Sequence, residues 1–291
     1  MKTRDSLQRF VFEHAAVRGE IVHLDATWRA VLERRDYPPV LRDMLGELMA
    51  AAALLSATLK FSGSLLLQIQ GDGPVKLLVV ECNSDLSMRA MAHWEGELTP
   101  APLPQLVGAG RFAIIIDPKQ GRQSYQGIVE LEGDTVAAVL ENYMRRSEQL
   151  DTRLWLAADE QQAAGMLLQK LPEERGSDSD AWPRALHLAG TVKRRELLNL
   201  SAGEVIRRLF HEEDIRLFEG APLHFHCSCS RERVANMMLM LGYDEVRSIL
   251  DEHGTMDVDC EFCNRHYTFD AVDAEQVFAT DAVVPPGGTR H

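Results

Sequence analysis

The chain has 291 residues, 45% hydrophobic and 26% charged, a balance that excludes wholesale disorder, a collagen-like repeat and a membrane bundle. At roughly 150 residues per domain this length fits two domains, and a chain near 300 residues buries enough surface to hold its main core without disulfides or metal. Its 44 acidic and 31 basic residues leave a formal charge of -13, which repels phosphate backbones and anionic lipid and argues against nucleic acid or a membrane as partner.

In chain order, the charges of Lys2, Arg4, Asp5, Arg9, Glu13 and Arg18 break every apolar run near the N-terminus. No signal-peptide core forms there, so a cytoplasmic location is expected. After Pro38-Pro39, the residues Leu41, Leu45, Leu48, Met49, Ala52, Leu55 and Leu59 recur at helical spacing and predict a long core helix over 40–60. Its mostly apolar stretch, 48–59, is well short of the roughly 20 residues that span a bilayer. Alternating residues at 64–70, the turn Gly71-Asp72-Gly73 and a β-rich run at 75–82 predict a hairpin. Further runs at 88–94, 111–116 and 124–131 predict that an antiparallel meander continues. Asp134 is expected to cap a helix through Val136, Val139, Leu140 and Tyr143, ahead of strands at 153–157 and 166–171.

Residues 173–184 are rich in Gly, Ser, Asp and Pro, a linker composition. Between Lys193 and Asp214 a helical segment is predicted, with Ser201 and Glu204 as a capping box and Leu200 with Val205 as its hydrophobic staple. The fold class expected is therefore α+β. An N-terminal antiparallel-sheet domain with packed helices covers 1–176, a helical linker covers 177–221, and a small four-cysteine domain covers 222–291. The linker is too short for a core of its own and must lean on a neighbour. The tail from residue 285 reads as disordered.

Of the 5 cysteines, Cys82 stands alone in an apolar β run, where a buried thiol is usually inert. Cys227, Cys229, Cys260 and Cys263 form Cys-x-Cys and Cys-x-x-Cys, two close pairs of soft ligands that suit one tetrahedral Zn²⁺. Unligated or disulfide-bonded thiols are the alternative, and His224, His226 and His266 are spare donors. Four sulfurs close the shell, so the metal reads as non-catalytic. An inert structural clip and a redox trigger both fit this chemistry, because zinc-bound thiolates are also what oxidants attack. Ser230 is expected to cap a helix over 231–241, with Met237, Met238 and Met240 serving core packing rather than an adaptable binding surface. Between Asp244 and Glu261 seven acidic residues face one basic residue, Arg247, which weighs against a nucleic-acid-binding zinc ribbon. No P-loop, Gly-x-Ser-x-Gly or His-Glu-x-x-His occurs, so no enzyme site is expected.

The two cysteine pairs at this spacing are joined by Ala57-Thr58-Leu59-Lys60-Phe61, Leu67-Gln68-Ile69-Gln70-Gly71-Asp72-Gly73-Pro74, Gln126-Gly127, Leu131-Glu132-Gly133-Asp134, Arg146-Ser147-Glu148-Gln149-Leu150 and Cys229-Ser230-Arg231-Glu232-Arg233. Through these stretches nearly the whole chain resembles the 33-kilodalton chaperonin family, redox-regulated heat-shock holdases. The resemblance implies an ATP-independent cytoplasmic chaperone for oxidative and heat stress, held inactive by one Zn²⁺ per chain on Cys227, Cys229, Cys260 and Cys263. It implies further that oxidation forms Cys227–Cys229 and Cys260–Cys263 disulfides, releases zinc and unfolds the C-terminal region. The exposed apolar surface then captures unfolding client proteins as a homodimer. On this reading the cysteines are reactants and the protein is not an enzyme. A constitutive zinc scaffold, a nucleic-acid-binding zinc protein and a thiol oxidoreductase are the competing readings.

Overall fold

The computed structural model describes residues 5–58, 63–118, 124–172, 178 and 180–282. The chain divides into two compact units, residues 1–226 and 227–291.

The first unit is built around one helix. Strands β1 (Ser6–Phe12) and β2 (Val17–Leu24) and a short helix α1 (Ala26–Leu32) lead to α2 (Pro39–Thr58). The start of α1 is capped from outside: the Asp5 carboxylate accepts from the amides of Asp25 at 2.6 Å and Ala26 at 3.1 Å. In α2 the residues Leu41, Leu45, Leu48, Met49, Ala50, Ala51, Ala52, Ala53, Leu54 and Leu55 are all buried. From Leu48 to Leu55 the helix is buried on every side and needs cover on every side, and α2 packs against strands of two different sheets. Small residues permit the approach: a Cβ on Gly165 would stand 2.8 Å from Leu54 Cδ1. The core helix expected over 40–60 is thus present through Thr58, and residues 59 and 60 lie outside the described residues.

One of these sheets starts with the predicted hairpin, β3 (Gly63–Gly71) and β4 (Val75–Asn83), followed by β5 (Ser87–Trp94). After α3 (Leu103–Val107) come β6 (Gly110–Pro118) and β7 (Tyr125–Glu130). The expected simple meander is corrected here, because β6 pairs with β3, with Leu67 opposite Ile114, and not with β5. Residues 95–109 carry the chain back across the sheet, so Phe112 and Ile114 extend the buried face begun by Leu65, Leu67 and Ile69. The helix α4 (Val136–Arg146) is capped by Thr135, whose hydroxyl accepts from the Ala138 amide at 3.2 Å. The expected Asp134 lies one residue too early, because Thr135 is the last residue in extended conformation.

The other sheet adds β8 (Thr152–Ala158) and β9 (Ala163–Lys170) in the order β1-β2-β9-β8. Its second face is covered by three helices, α5 (Ala181–Ala189), α6 (Arg194–Asn199) and α7 (Ala202–Leu209). The helical segment expected over 193–214 is therefore two helices, broken at Leu200 and Ser201 by the predicted capping box. Leu197, Leu198, Val205, Leu209 and Phe210 pack on Phe10, Phe12, Ile21, Met166 and Leu168. Gly19 makes room for this layer, since a Cβ there would lie 2.2 Å from the Phe10 ring. The segment then adds two short strands, β10 (Ile215–Leu217) and β11 (Ala221–Pro222), to the free edge of β1. A final strand, β12 (His224–Phe225), pairs in parallel with β5 while Arg34 stacks on the Phe225 ring at 4.0 Å. Of the linker stretch 173–184, residues 173–177 and 179 lie outside the described residues, as does the tail from 285.

The second unit holds α8 (Arg231–Leu241), α9 (Tyr243–His253), the hairpin β13 (Met256–Asp259) and β14 (His266–Phe269), and α10 (Ala271–Ala282). Ser230 caps α8 as expected, accepting from the Arg233 amide. Among the described residues, Val234, Met238, Val246, Leu250, Met256, Tyr267, Phe269 and Ala274 form the buried cluster of this unit. Met238 is fully buried and Met237 packs beside it, as core packing requires, whereas Met240 is 82% exposed. The α+β class read from the sequence is the class observed, with antiparallel pairing throughout except at β12.

Candidate metal centre

Two local structures present the four thiols. Cys227 and Cys229 lie on the irregular stretch just before the Ser230 cap of α8. Cys260 and Cys263 sit on the turn between β13 and β14. There the Cys260 carbonyl accepts from the amides of Cys263 at 3.2 Å and Asn264 at 2.7 Å, and Asn264 takes the left-handed conformation that closes the turn. Asparagine tolerates that region better than most side chains.

The turn brings the sulfurs together. All four Sγ atoms lie within 4.8 Å of one another, with Cys227 to Cys260 at 3.6 Å and Cys229 to Cys263 at 3.3 Å. Four sulfurs at the usual zinc distance of about 2.3 Å in a tetrahedron stand about 3.8 Å apart. The spacing and the donor type both fit one thiophilic ion. The electrostatics fit as well. Burial opposes ionisation of Cys229, but hydrogen bonds from the Tyr267 hydroxyl at 3.1 Å and from the neighbouring thiols hold its pKa down at about 7. Burial and the adjacent sulfurs push Cys263 up to about 12, and burial likewise raises Cys260. Ionisation is thus favoured at Cys229 and opposed at Cys260 and Cys263, a conflict that a central cation would remove by neutralising the thiolates together.

Among the described residues no other cluster of three or more potential metal ligands occurs. His266 is held instead between Asp259 at 2.8 Å and Asp257 at 3.1 Å. His224 and His226 lie on the edge of β5, bonded through their amides to the carbonyls of Leu86 and Met88. The lone Cys82 faces α2, fully buried and 3.4 Å from the Ser56 hydroxyl, in the other unit. Sequence reasoning missed Tyr267, whose only signal is an aromatic residue four places after Cys263. It missed Arg233 too, which donates to the hydroxyl of Ser228, between Cys227 and Cys229, at 2.6 Å.

Fold and site define a class: a two-unit α+β protein whose small unit brings four cysteines together in positions that could hold a metal ion. The chain belongs to the Hsp33 family, whose model, described as Hsp33 protein, matches residues 5–270. It is 55% identical to the 33 kDa chaperonin of Methylobacillus flagellatus and 50% identical to that of Nitrosococcus oceani, in each case over all of both chains. The crystal structure of the 33 kDa chaperonin from Thermotoga maritima superposes with a TM-score of 0.80 at 21% identity, covering 95% of this chain and 99% of that one. At that identity the likeness concerns the fold. No helix of the described residues is long and apolar enough to cross a membrane.

Proposed function

We propose that this chain is a redox-regulated, ATP-independent holdase of the cytoplasm that binds unfolding proteins under oxidative and heat stress, and that it is not an enzyme. Its functional parts are the chaperone core over 1–176, the metastable linker over 177–221 and the redox-switch domain over 222–291. The observation that carries the reading is the convergence of four thiols in a unit whose described residues include eight buried hydrophobic ones.

In the reduced state Cys227, Cys229, Cys260 and Cys263 would hold one Zn²⁺. Bound there, the ion supplies the charge that keeps four thiolates ionised and the cross-link that so small a core needs. Tyr267 orients the Cys229 sulfur, and the Asn264 turn fixes Cys260 against Cys263. Oxidation pairs Cys227 with Cys229 and Cys260 with Cys263. Each disulfide gives two electrons to the oxidant, so hydrogen peroxide leaves as water, and the four donors are consumed. Without these four donors the unit could no longer hold zinc and would lose the folding energy that binding supplies, and its unfolding would loosen the adjoining linker.

The linker is suited to leave. Helices α5 to α7 run nine, six and eight residues, and isolated helices that short do not hold in water. Their order comes from the elements beneath, from the sheet through Phe210 against Phe12 and from α2 through ties such as Arg194 to Asp43 at 2.8 Å. Undocking exposes the apolar face that captures clients, with a homodimer as the active form.

The test is suppression of the aggregation of a thermally unfolding reporter enzyme by reduced and by peroxide-treated protein, titrated to determine stoichiometry. A holdase protects only after oxidation and in proportion to its own amount. Indifference to oxidant would mark a constitutive scaffold, and catalytic turnover of many disulfides per chain would mark an oxidoreductase.

A further inference from the structure

The linker does more than cover a sheet face; it also completes a sheet edge. In the order β10-β1-β2-β9-β8, β1 has β2 on one side and, among the described residues, only the two short linker strands on the other. The pairing is antiparallel, with Phe12 opposite Ile215, Val11 opposite Arg216 and Phe10 opposite Leu217, then Leu7 opposite Ala221 and Ser6 opposite Pro222. Two hydrogen bonds flank the first stretch: the Glu13 amide donates to the Asp214 carbonyl, and the Phe218 amide donates to the Arg9 carbonyl, both at 2.9 Å. Backbone groups alternate sides along a strand, so Arg9, Val11 and Glu13 turn theirs to this edge, while Gln8 and Phe10 turn theirs to β2.

We propose that the β1 edge is a client-capture site, occupied in the resting protein by the linker as a stand-in strand. Its partner is an extended segment of a non-native polypeptide with apolar side chains at alternate positions. The stand-in shows the pattern required. Ile215 and Leu217 lie opposite Phe12 and Phe10; Ile215 packs on the layer of α7 and Phe210, Leu217 lies beside Gly203 of α7 while remaining partly exposed, and the charged Arg216 alternates between them. An unfolding protein presents many such stretches with unpaired backbone, whereas a folded one keeps them paired.

Strand addition supplies affinity through main-chain bonds that every sequence can make, and selectivity only through alternate side chains, which suits a broad client range. The resting occupant is weak enough to be displaced. Strands of three and two residues, separated by Phe218, Glu219 and Gly220, are at the lower limit of strand length. A bare edge flanked by Phe10 and Phe12 would also promote self-association, so holding the linker on it in the absence of stress protects the resting chain.

This inference rests on the holdase reading. Its test is amide hydrogen exchange, read residue by residue in the full chain: reduced, peroxide-treated, and peroxide-treated with a thermally unfolding reporter enzyme. The Val11 and Glu13 amides should be protected in the first state, exchange at least about tenfold faster in the second and regain protection in the third. The Phe10 amide, bonded inward to β2, should stay protected in all three. Client held in the complex while Val11 and Glu13 remain as exposed as in its absence would overturn the proposal. So would protection that returns without client and grows with chain concentration, since a second copy would then fill the edge. If peroxide-treated protein captures nothing, the redox reading fails instead. The chain carrying Phe210→Asp, with its linker loosened without oxidant, then answers for the edge by the same pattern of Val11 and Glu13 exchange.

Discussion

The Cys229 sulfur lies 3.3 Å from that of Cys263, a residue 34 positions further along the chain. A contact at that range between two like groups, with two more thiols beside it, has its simplest reason in an ion that binds all of them. One equivalent of zinc per chain is expected in reduced protein by elemental analysis. Cys229→Ser or Cys263→Ser should lose most of it and unfold residues 227–282, because structural zinc contributes roughly 10 to 16 kcal/mol in modules this small. Tyr267→Phe keeps the ring in its core and removes only the hydroxyl bond to Cys229, so metal affinity should fall about 10- to 100-fold in competition with a chelator. Full zinc retention in both serine variants would show that the cluster is not the metal site.

Cys82 is expected to take no part in the switch. Burial pushes its thiol up to about 12, so almost none is thiolate at neutral pH, and oxidants attack the thiolate. Cys82→Ser should retain zinc and activate normally, with stability lowered by about 1 to 3 kcal/mol from burying a hydroxyl. Mass spectrometry after peroxide should find Cys82 still reduced when the other four are not.

Phe210 meets the Phe12 ring edge-on, with centroids 5.2 Å apart, and is 2% exposed. A carboxylate at that position cannot stay buried, so Phe210→Asp should undock the linker helices and give aggregation suppression in reduced, zinc-loaded protein. Phe210→Leu keeps the site apolar, costs about 1 to 2 kcal/mol and should remain inactive until oxidised. Amides of α5 to α7 should lose protection before those of β3 and β4. Leu209→Glu should act in the same direction, since Leu209 lies in the same buried layer.

Stability should fall as pH rises from about 5 to 8. Burial lifts the Glu20 carboxyl to about 7, with Arg9 and Arg18 offsetting only part of the effect, and one of its oxygens is buried without a hydrogen-bond partner. The folded chain therefore keeps a proton that the unfolded chain releases above about 4.5, the ordinary value. The stabilisation is complete below that ordinary value and is lost as pH passes through 7, by up to about 3 kcal/mol. Glu47, raised to about 7 by burial despite Arg194, adds a slope of the same sign. Glu20→Gln should raise the urea midpoint at pH 8 and flatten its change between pH 5.5 and 8. A slope equal to that of the parent would contradict the assignment.

Periodicity and spacing made α2, the β3 and β4 hairpin, the Ser201 and Ser230 caps and the four-cysteine group legible in the sequence, because each is specified within a few neighbouring residues. What joins distant segments was not legible. Nothing local in Ser6–Phe12 announces that it will pair with Ile215–Leu217, and β6 returns to β3 across a connection whose path depends on which edge is free. The N-terminal strands escaped notice because their charges, from Arg9 to Glu20, mask an alternation that becomes clear only when Phe10, Phe12 and Ile21 are seen under one helical layer. Tyr267 escaped for the same reason: its role is a bond to a sulfur 38 residues earlier.

The most direct test of the account is a peroxide titration in which zinc release, loss of free thiols and aggregation suppression are followed in one sample. The account predicts that the three curves coincide and that four thiols disappear for each zinc released and each unit of activity gained. Full activity with zinc still bound, or complete zinc release and thiol loss without activity at any temperature short of global unfolding, would contradict it.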